Sequence, residues 1–173
     1  MQFCNFDNLK PDRDSVSNEI ARLLHDKFIS SEIADMIRIE DIVKFAQSKL
    51  IDDLKASRKL YRELRFNVFI PASELTTEDN RKSLFSDEKI LVQGVIDLCY
   101  FNSNGELVLC DYKTDHIPRD ILGNRSAIHR MLEDKHKQQL KYYTYAIEAI
   151  FGKKPNRVLI YSLPYGDSFS ITI

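Results

Sequence analysis

Two strand-like segments joined by a tight-turn sequence constrain the fold of this chain more than any other feature. KILVQGVIDLCYF (residues 89–101) and ELVLCDYKT (106–114) are rich in apolar side chains, and NSNG lies just before the second of them. The Asn104-Gly105 pair is typical of a hairpin turn, because both residue types tolerate a positive φ. The two segments are therefore predicted to pair as antiparallel strands.

Helical patterns precede this hairpin. Residues 1–14 lack periodicity and are predicted to form an irregular lead-in. Apolar residues then recur at helical spacing over residues 15–28, and again over residues 39–54, which predicts two helices. In residues 63–71 apolar and polar side chains alternate, as they do in a half-buried strand that is closed by a proline.

The second half of the chain contributes one long helix and two strands. The polar residues 76–88 are predicted to form a loop, and a helix is predicted over residues 127–151, because Gly152 follows as a typical helix end. Residues 157–164 indicate a buried strand and residues 168–173 an edge strand. The order α, α, β, β, β, α, β, β predicts an α/β fold with a mixed central β-sheet flanked by helices.

Composition excludes several classes of protein. The 173 residues include 25 Lys and Arg against 26 Asp and Glu, and the net charge of −1 excludes a generally basic coat for nucleic acid. Three cysteines are too few for a disulfide framework or a four-thiolate metal site, and they fit a reducing cytoplasm. No apolar run approaches the ~20 residues that a membrane-spanning helix needs. We expect a single cytoplasmic domain over residues 1–173, without a membrane partner.

Two aspartates on the predicted hairpin are the strongest chemical signal. Asp97 lies on the first strand and Asp111 on the second, so the turn brings them near each other. Carboxylates in an apolar sheet are costly unless they are paired or bind a cation, and Mg²⁺ favours one or two carboxylates. Lys113 lies on the same strand face as Asp111. The simpler interpretation is that Asp111 and Lys113 form a solvated ion pair at a strand end.

The order of these motifs resembles that of a known family. GVID, the hairpin, DYKTD and a later helix with Gln-Leu-x-x-Tyr occur as in the RecB-type nucleases of the PD-(D/E)xK superfamily, in particular the AddA-type nuclease domains of bacterial helicase–nucleases. The similarity extends over residues 21–162. It implies a restriction-endonuclease-like catalytic core, here residues 60–165, with N-terminal helices before it. It further implies Mg²⁺- or Mn²⁺-dependent hydrolysis of DNA, with exonuclease action favoured over endonuclease action.

The resemblance implies roles for the matched residues. Asp97 and Asp111 match metal-ligating acidic residues, and Lys113 matches the catalytic lysine. The backbone carbonyl of Tyr112 and the imidazole of His25 are implied as further metal ligands. Taken without the resemblance, His25 beside an apolar helix face is more typical of a structural histidine.

Four other positions near these motifs are less defined. Glu63 matches an acidic residue on the first core strand and Thr114 is implied to support the site, although Glu63 also fits a solvated strand carboxylate. The role of Asp115 stays open. His136 stands where the family often has a tyrosine, which leaves its role open too.

The long helix is implied to contact DNA. Gln139 and Tyr143 match the Gln and Tyr of the helix motif and share a helix face. Lys135 and Lys141 lie close by in sequence and are candidates for phosphate contacts. The alternatives are that Tyr143 belongs to the hydrophobic core stripe and that the lysines form a solvated outer face.

The sequence lacks the motifs of two common cofactor sites. The chain has no GxxxxGK[ST] sequence and therefore no basis for an ATP site, and it lacks the cysteine arrangement of an iron–sulfur cluster.

The resemblance implies three partners in double-strand-break repair: DNA, a covalently linked or associated helicase, and a second nuclease subunit. The competing hypothesis is a non-catalytic nuclease-like module that binds DNA or a helicase. The complete Asp97, Asp111 and Lys113 set favours the enzyme.

Overall fold

Five strands form one mixed sheet in a computed structural model that describes residues 1–74 and 88–173. The strands follow the order β1-β2-β3-β4-β5 across the sheet. Their bounds are β1 Lys59–Pro71, β2 Lys89–Phe101, β3 Leu107–Lys113, β4 Arg157–Ser162 and β5 Asp167–Ser170. Strands β3 and β4 are parallel and the other neighbours are antiparallel. The predicted mixed sheet flanked by helices is confirmed, whereas the predicted loop at 76–88 lies almost wholly outside the described residues.

Five α-helices accompany the sheet in the described parts of the chain: α1 Arg13–His25, α2 Ser31–Met36, α3 Ile39–Ala46, α4 Lys49–Lys55 and α5 Arg125–Phe151. The helix predicted over residues 39–54 is wrong in one respect, because it consists of α3 and α4. Ser48 separates them: its hydroxyl donates to the Phe45 carbonyl at 2.7 Å and accepts the Ile51 N–H at 3.4 Å. No helix in these parts of the chain is long and apolar enough to cross a membrane.

The predicted hairpin between β2 and β3 is confirmed. Of the Asn104-Gly105 pair, Gly105 has a positive φ, +83°. The Asn102 side-chain oxygen accepts the N–H groups of Asn104 at 3.0 Å and Glu106 at 2.9 Å, which holds the turn closed. The register is therefore fixed by a side chain as well as by the glycine.

The lead-in is irregular over residues 1–12, because α1 already begins at Arg13 within the predicted range of 1–14, and it belongs to the core. Cys4, Phe6 and Leu9 are buried against the helices and the sheet. Arg62 on β1 fixes this segment, because its guanidinium lies 3.8 Å from the centre of the Phe6 ring and donates to the Cys4 carbonyl. The sequence pattern did not predict this burial.

The two faces of the sheet carry separate hydrophobic clusters. The lead-in and helices α1–α4 cover one face, with Leu98 and Cys110 among the strand residues that contact them. Helix α5 covers the other face and packs on Ile96 and Leu109. The three cysteines are buried and free of disulfide bonds.

Along a strand, alternate side chains point to opposite faces of the sheet, and in β1 and β2 this alternation shifts by one residue at a single position. Leu60 packs with the α1–α4 cluster, whereas Leu64 packs with the α5 cluster. A strict period of two would place both on one face. Glu63 between them has φ +49°, and the ladder omits Glu63 and the facing Asp97. Beyond Glu63 and Asp97, only one face of the β1–β2 hairpin packs against the hydrophobic cluster under α5.

Candidate active site

Strands β2 and β3 separate where the two predicted aspartates lie. Their ladder ends at the pair Leu98 and Cys110, and Asp97 and Asp111 are the next residues in that register. Beyond this pair β3 continues beside β4. The Asp97 carboxylate occupies the fork and accepts the Tyr112 N–H at 3.0 Å. The fork thus brings the two carboxylates together, as the 14-residue spacing predicted.

Asp111 carries an unusually costly charge. The residue is 1% exposed, and burial raises the pKa of its carboxyl to about 6, although the neighbouring Lys113 opposes this shift. Lys113 Nζ lies 2.5 Å from Asp111 Oδ2. That oxygen accepts no hydrogen bond of normal geometry from the described residues. A single ammonium therefore compensates this carboxylate only in part.

Lys113 connects the sheet to helix α5. Its ammonium donates to Gln139 Oε1 at 2.8 Å, and Gln139 Nε2 donates to the Tyr143 hydroxyl at 2.7 Å. Gln139 and Tyr143 are one helical turn apart, so both side chains point toward the same strand end. Burial raises the pKa of the Tyr143 hydroxyl, which stays protonated. The structure thus joins Asp111, Lys113, Gln139 and Tyr143 in one chain of polar contacts.

The Tyr143 ring is positioned by Phe66 on β1, whose own ring lies close to Gly94 on β2. The Phe66 ring meets the Tyr143 ring edge-on at 5.7 Å between centroids. Phe66 lies across Gly94, and a Cβ atom there would come within 2.7 Å of the ring. A glycine is therefore needed on β2 for Phe66 to support Tyr143. Tyr143 is both a core residue and a polar partner, so the two interpretations of the sequence are compatible.

A second polar cluster ties the end of β3 to α5. Asp115 contacts His136 Nε2 at 2.9 Å and also pairs with Lys135. Burial opposes ionisation of Asp115, but hydrogen bonds from Lys135 and His136 outweigh it and lower the pKa of Asp115. Burial and the charge of Lys113 lower the pKa of His136. These two residues, whose roles the sequence left open, therefore anchor the segment that follows Lys113.

Some predicted site residues are not gathered at the fork. His25 lies at the end of α1 with 88% of its side chain exposed and contacts Asp26 at 3.1 Å. Thr114 is exposed. Glu63 is half-buried, close enough for its charge to raise the pKa of Tyr143. Among residues 1–74 and 88–173, no group of three or more His, Cys, Asp or Glu has a metal-binding arrangement.

The fork nevertheless has the donor chemistry of a hard divalent cation. Asp97 and Asp111 supply carboxylate oxygens, and the buried Asp111 Oδ2 lacks a normal hydrogen bond. A cation at this point would offset the cost of ionising Asp111, which Lys113 alone does not. Two carboxylates with remaining positions filled by water are a usual Mg²⁺ set.

Comparison with known proteins identifies the relatives of this chain. It is 34% identical over 148 residues to the AddA subunit of the ATP-dependent helicase/nuclease of Clostridium kluyveri, which is 86% of this chain and 11% of that protein. The corresponding AddA protein of Clostridium botulinum strain 657 is 36% identical over 141 residues, 82% of this chain and 10% of that protein. Over most of its length, this chain is therefore similar to a small part of the AddA helicase/nuclease subunit, consistent with a nuclease domain.

The predicted family resemblance is therefore confirmed. The chain spans about a tenth of the length of the AddA proteins that it matches. No protein-family model matches the chain. The matched region in these relatives is long enough to include all the polar contacts at the fork of β2 and β3.

Proposed function

We propose that this chain is a metal-dependent DNA nuclease domain of the PD-(D/E)xK type that hydrolyses phosphodiester bonds. The observation that carries the proposal is the buried Asp111 carboxylate, which lies beside Asp97 and is only partly compensated by Lys113. Its AddA relatives are named for helicase and nuclease activities together. That name supports a role in a helicase–nuclease, and its action on double-strand breaks is part of this proposal.

The proposed chemistry assigns distinct tasks to the residues at the fork. Asp97 and Asp111 would hold Mg²⁺ or Mn²⁺, with the Tyr112 carbonyl as a further ligand candidate, whereas the exposed His25 is not gathered with them. When bound, such an ion lowers the pKa of a water molecule and stabilises charge on a phosphoryl oxygen. Lys113 adds a positive charge held in place by Gln139, and it would stabilise negative charge that develops at the phosphorus.

Helix α5 would position the DNA strand. Gln139 and Tyr143 point toward the end of β3, and Lys135 lies one turn earlier with 63% of its side chain exposed. Lys141 is the other candidate for a phosphate contact. Glu63 and Thr114 would support the site from β1 and from the segment after β3.

A nuclease assay on linear single-stranded DNA and on closed circular plasmid tests this proposal. We expect cleavage with Mg²⁺ or Mn²⁺ and none with EDTA, with faster loss of the linear substrate if the enzyme acts from ends. Asp111→Ala should abolish cleavage, and Asp53→Ala on α4 is the matched control. DNA binding by the wild-type chain without cleavage under any metal would instead support the non-catalytic DNA-binding module.

The two protein partners, a helicase and a second nuclease, are separate proposals. The helicase is proposed from the name and length of the relatives, of which this chain matches about a tenth, and the second nuclease subunit from the family resemblance alone. Co-purification of the chain with a helicase and a second nuclease from its own cells would support both. Recovery of an active nuclease without either partner would show that they are not required for cleavage.

A further inference from the structure

In the part of the chain that the structure describes, the β1–β2 hairpin has an exposed face beyond the point where its alternation reverses. One side of these arms packs toward α5 through Phe66, Val68 and Ile70. The side chains on the opposite side come from the intervening positions, which pair across the two strands in register. We call this the outer hairpin face: Arg65, Asn67, Phe69 and Pro71 on β1, and Lys89, Leu91, Gln93 and Val95 on β2.

The outer hairpin face exposes an aromatic ring in the middle of a strand. Phe69 is 68% exposed, and Leu91, its direct partner across the ladder, is 49% exposed. Large apolar side chains grouped in the open in this way indicate a binding surface. Between this pair and the fork lies a shallow depression of about 470 Å³. Its lining residues are Arg65, Phe66, Asn67, Gln93, Gly94 and Val95.

The charge on this face is positive. Of the eight residues on the outer hairpin face, Arg65 and Lys89 are cationic and none is a carboxylate. The whole chain has a net charge of −1, so the face differs from the average surface. Two amides, Asn67 and Gln93, add hydrogen-bonding groups. Exposed aromatic, cationic and amide side chains on one sheet face are the chemistry by which proteins bind unpaired nucleic-acid strands.

The outer hairpin face begins close to the fork in the direction of the strands. Arg65 lies two residues after Glu63, and Val95 two residues before Asp97. At ~3.3 Å per residue, Phe69 lies about 13 Å along the strand from Arg65. A nucleic-acid strand that contacts both would run along the hairpin on the side of the sheet opposite α5, whereas Lys113 and its partner Gln139 lie on the α5 side.

We propose that the outer hairpin face binds a single-stranded nucleic acid, with a base stacked on Phe69 and phosphates beside Arg65 and Lys89. The inference goes beyond the proposed function, because this face lies on the side of the sheet opposite Lys113 and Gln139. Binding itself does not require cleavage, so the two proposals can fail separately. Duplex bases are stacked on one another, so a duplex cannot offer a base face to Phe69.

Fluorescence anisotropy with labelled single-stranded and duplex oligonucleotides in EDTA tests the proposal without cleavage. We expect Phe69→Ala to weaken single-strand binding about 5- to 150-fold, the range for loss of one stacked base, and Phe69→Tyr to retain it. Arg65→Ala should reduce the salt slope by about 0.7 for one lost phosphate contact. Duplex binding should change little in both variants.

Two control variants separate this face from general surface effects. Phe28→Ala removes an aromatic ring that is 45% exposed near the end of α1, and Arg13→Ala removes an exposed arginine at the start of α1. Both should bind single strands as the wild type does. Circular dichroism and thermal unfolding confirm that Phe69→Ala is folded.

Three results would overturn the inference. The first is wild-type single-strand affinity in Phe69→Ala and Arg65→Ala. The second is an equal loss of duplex affinity, which would indicate a non-specific electrostatic effect. The third is a dimer in sedimentation velocity that Phe69→Ala dissociates, because the face would then bind a second copy of the chain. If single-strand binding depends on the outer hairpin face but the chain never cleaves DNA, the proposed nuclease activity is refuted and this inference is supported.

Discussion

Lys113 on β3 and Gln139 on α5 are joined by a hydrogen bond of 2.8 Å across 26 residues of sequence. The same ammonium lies 2.5 Å from the buried Asp111. One lysine thereby links the least solvated carboxylate of the fork to the helix that is proposed to hold DNA. This arrangement makes the contributions of the sheet and the helix separable by mutation.

Removal of the Lys113 ammonium should affect cleavage more than DNA binding. We expect Lys113→Ala to lower the single-turnover cleavage rate about 100-fold or more, the scale for loss of one electrostatic stabiliser. Lys55→Ala is the control, since Lys55 also donates to a carbonyl, that of Leu9 at 3.0 Å, but on the helical side of the molecule. A cleavage rate within a few-fold of wild type would mean that Lys113 is only an ion-pair partner.

The pH dependence of stability should report the buried Asp111. Its pKa is raised from 3.8 to about 6, so the folded state binds more protons than the unfolded state between these values. The contribution of Asp111 to the free energy of unfolding should therefore fall as pH rises from about 4 to 6 and then level off. The full change amounts to about 3 kcal/mol.

Urea unfolding in EDTA between pH 4 and 8 measures this effect. Asp111→Asn lacks the titrating group, so its stability should not show this decrease. Added Mg²⁺ should stabilise the wild type more at pH 7 than at pH 4, because only the ionised carboxylate binds the cation. Identical pH profiles for the wild type and Asp111→Asn would contradict the raised pKa.

Metal binding should require both aspartates of the fork. Calorimetry is expected to detect Mg²⁺, Mn²⁺ and Ca²⁺ binding to the wild type, with little cleavage in Ca²⁺ because of its looser coordination geometry. The Asp97→Ala, Asp111→Ala double variant should lose this binding. The Asp52→Ala, Asp53→Ala double variant on α4 removes the same number of charges elsewhere, and comparable metal affinity in the two double variants would place the metal outside the fork.

Helix α5 offers an internally matched test of DNA positioning. Gln139 donates to the Tyr143 hydroxyl at 2.7 Å toward the site, and Gln138 donates to the Tyr142 hydroxyl at 2.7 Å in an exposed pair. We expect Gln139→Ala to weaken DNA binding in Ca²⁺, and Gln138→Ala to have little effect. Tyr143→Phe should cost about 1–3 kcal/mol of stability if its hydroxyl is bonded as described. Equal DNA affinities in Gln138→Ala and Gln139→Ala would make the helix purely structural.

His136 should stabilise the segment that follows Lys113. His136→Ala leaves Asp115 with Lys135 as its remaining ion-pair partner, so we expect a loss of about 1–3 kcal/mol in urea unfolding and slower cleavage. His129→Ala is the control on the same helix, because His129 contacts the Ser170 carbonyl at 2.8 Å, on β5. Unchanged stability and cleavage in His136→Ala would show that the Asp115 contact has no functional consequence.

Local signals account for the parts of the fold that the sequence predicted. The β2–β3 hairpin follows from Asn104-Gly105, and α5 ends at Gly152 with φ +70° as a glycine end requires. The break between α3 and α4 was missed because Ser48 interrupts an apolar stripe that continues on both sides. Short caps of this kind change the backbone without changing the hydrophobic pattern.

The positions of site residues could be predicted from the sequence only where a short turn in the chain brings those residues together. The separation of Asp97 and Asp111 follows from one turn, so their proximity could be predicted from the sequence. The contact between Asp115 and His136 spans 21 residues and depends on where α5 crosses the sheet, which no local pattern specifies. The positive φ of Glu63 could likewise not be predicted from the sequence, since glutamate rarely adopts a positive φ.

The turn held by Asn102 has a consequence for the chemistry at the far end of the hairpin. Asp97 reaches the Tyr112 N–H only in the register that this turn dictates. A slip of one residue between β2 and β3 would turn Asp97 away from the fork and present Leu98 or Ile96 in its place. An insertion in the turn, about 17 Å from the carboxylates, would therefore abolish the proposed nuclease activity as effectively as loss of a ligand, and it would do so without altering any residue of the candidate site.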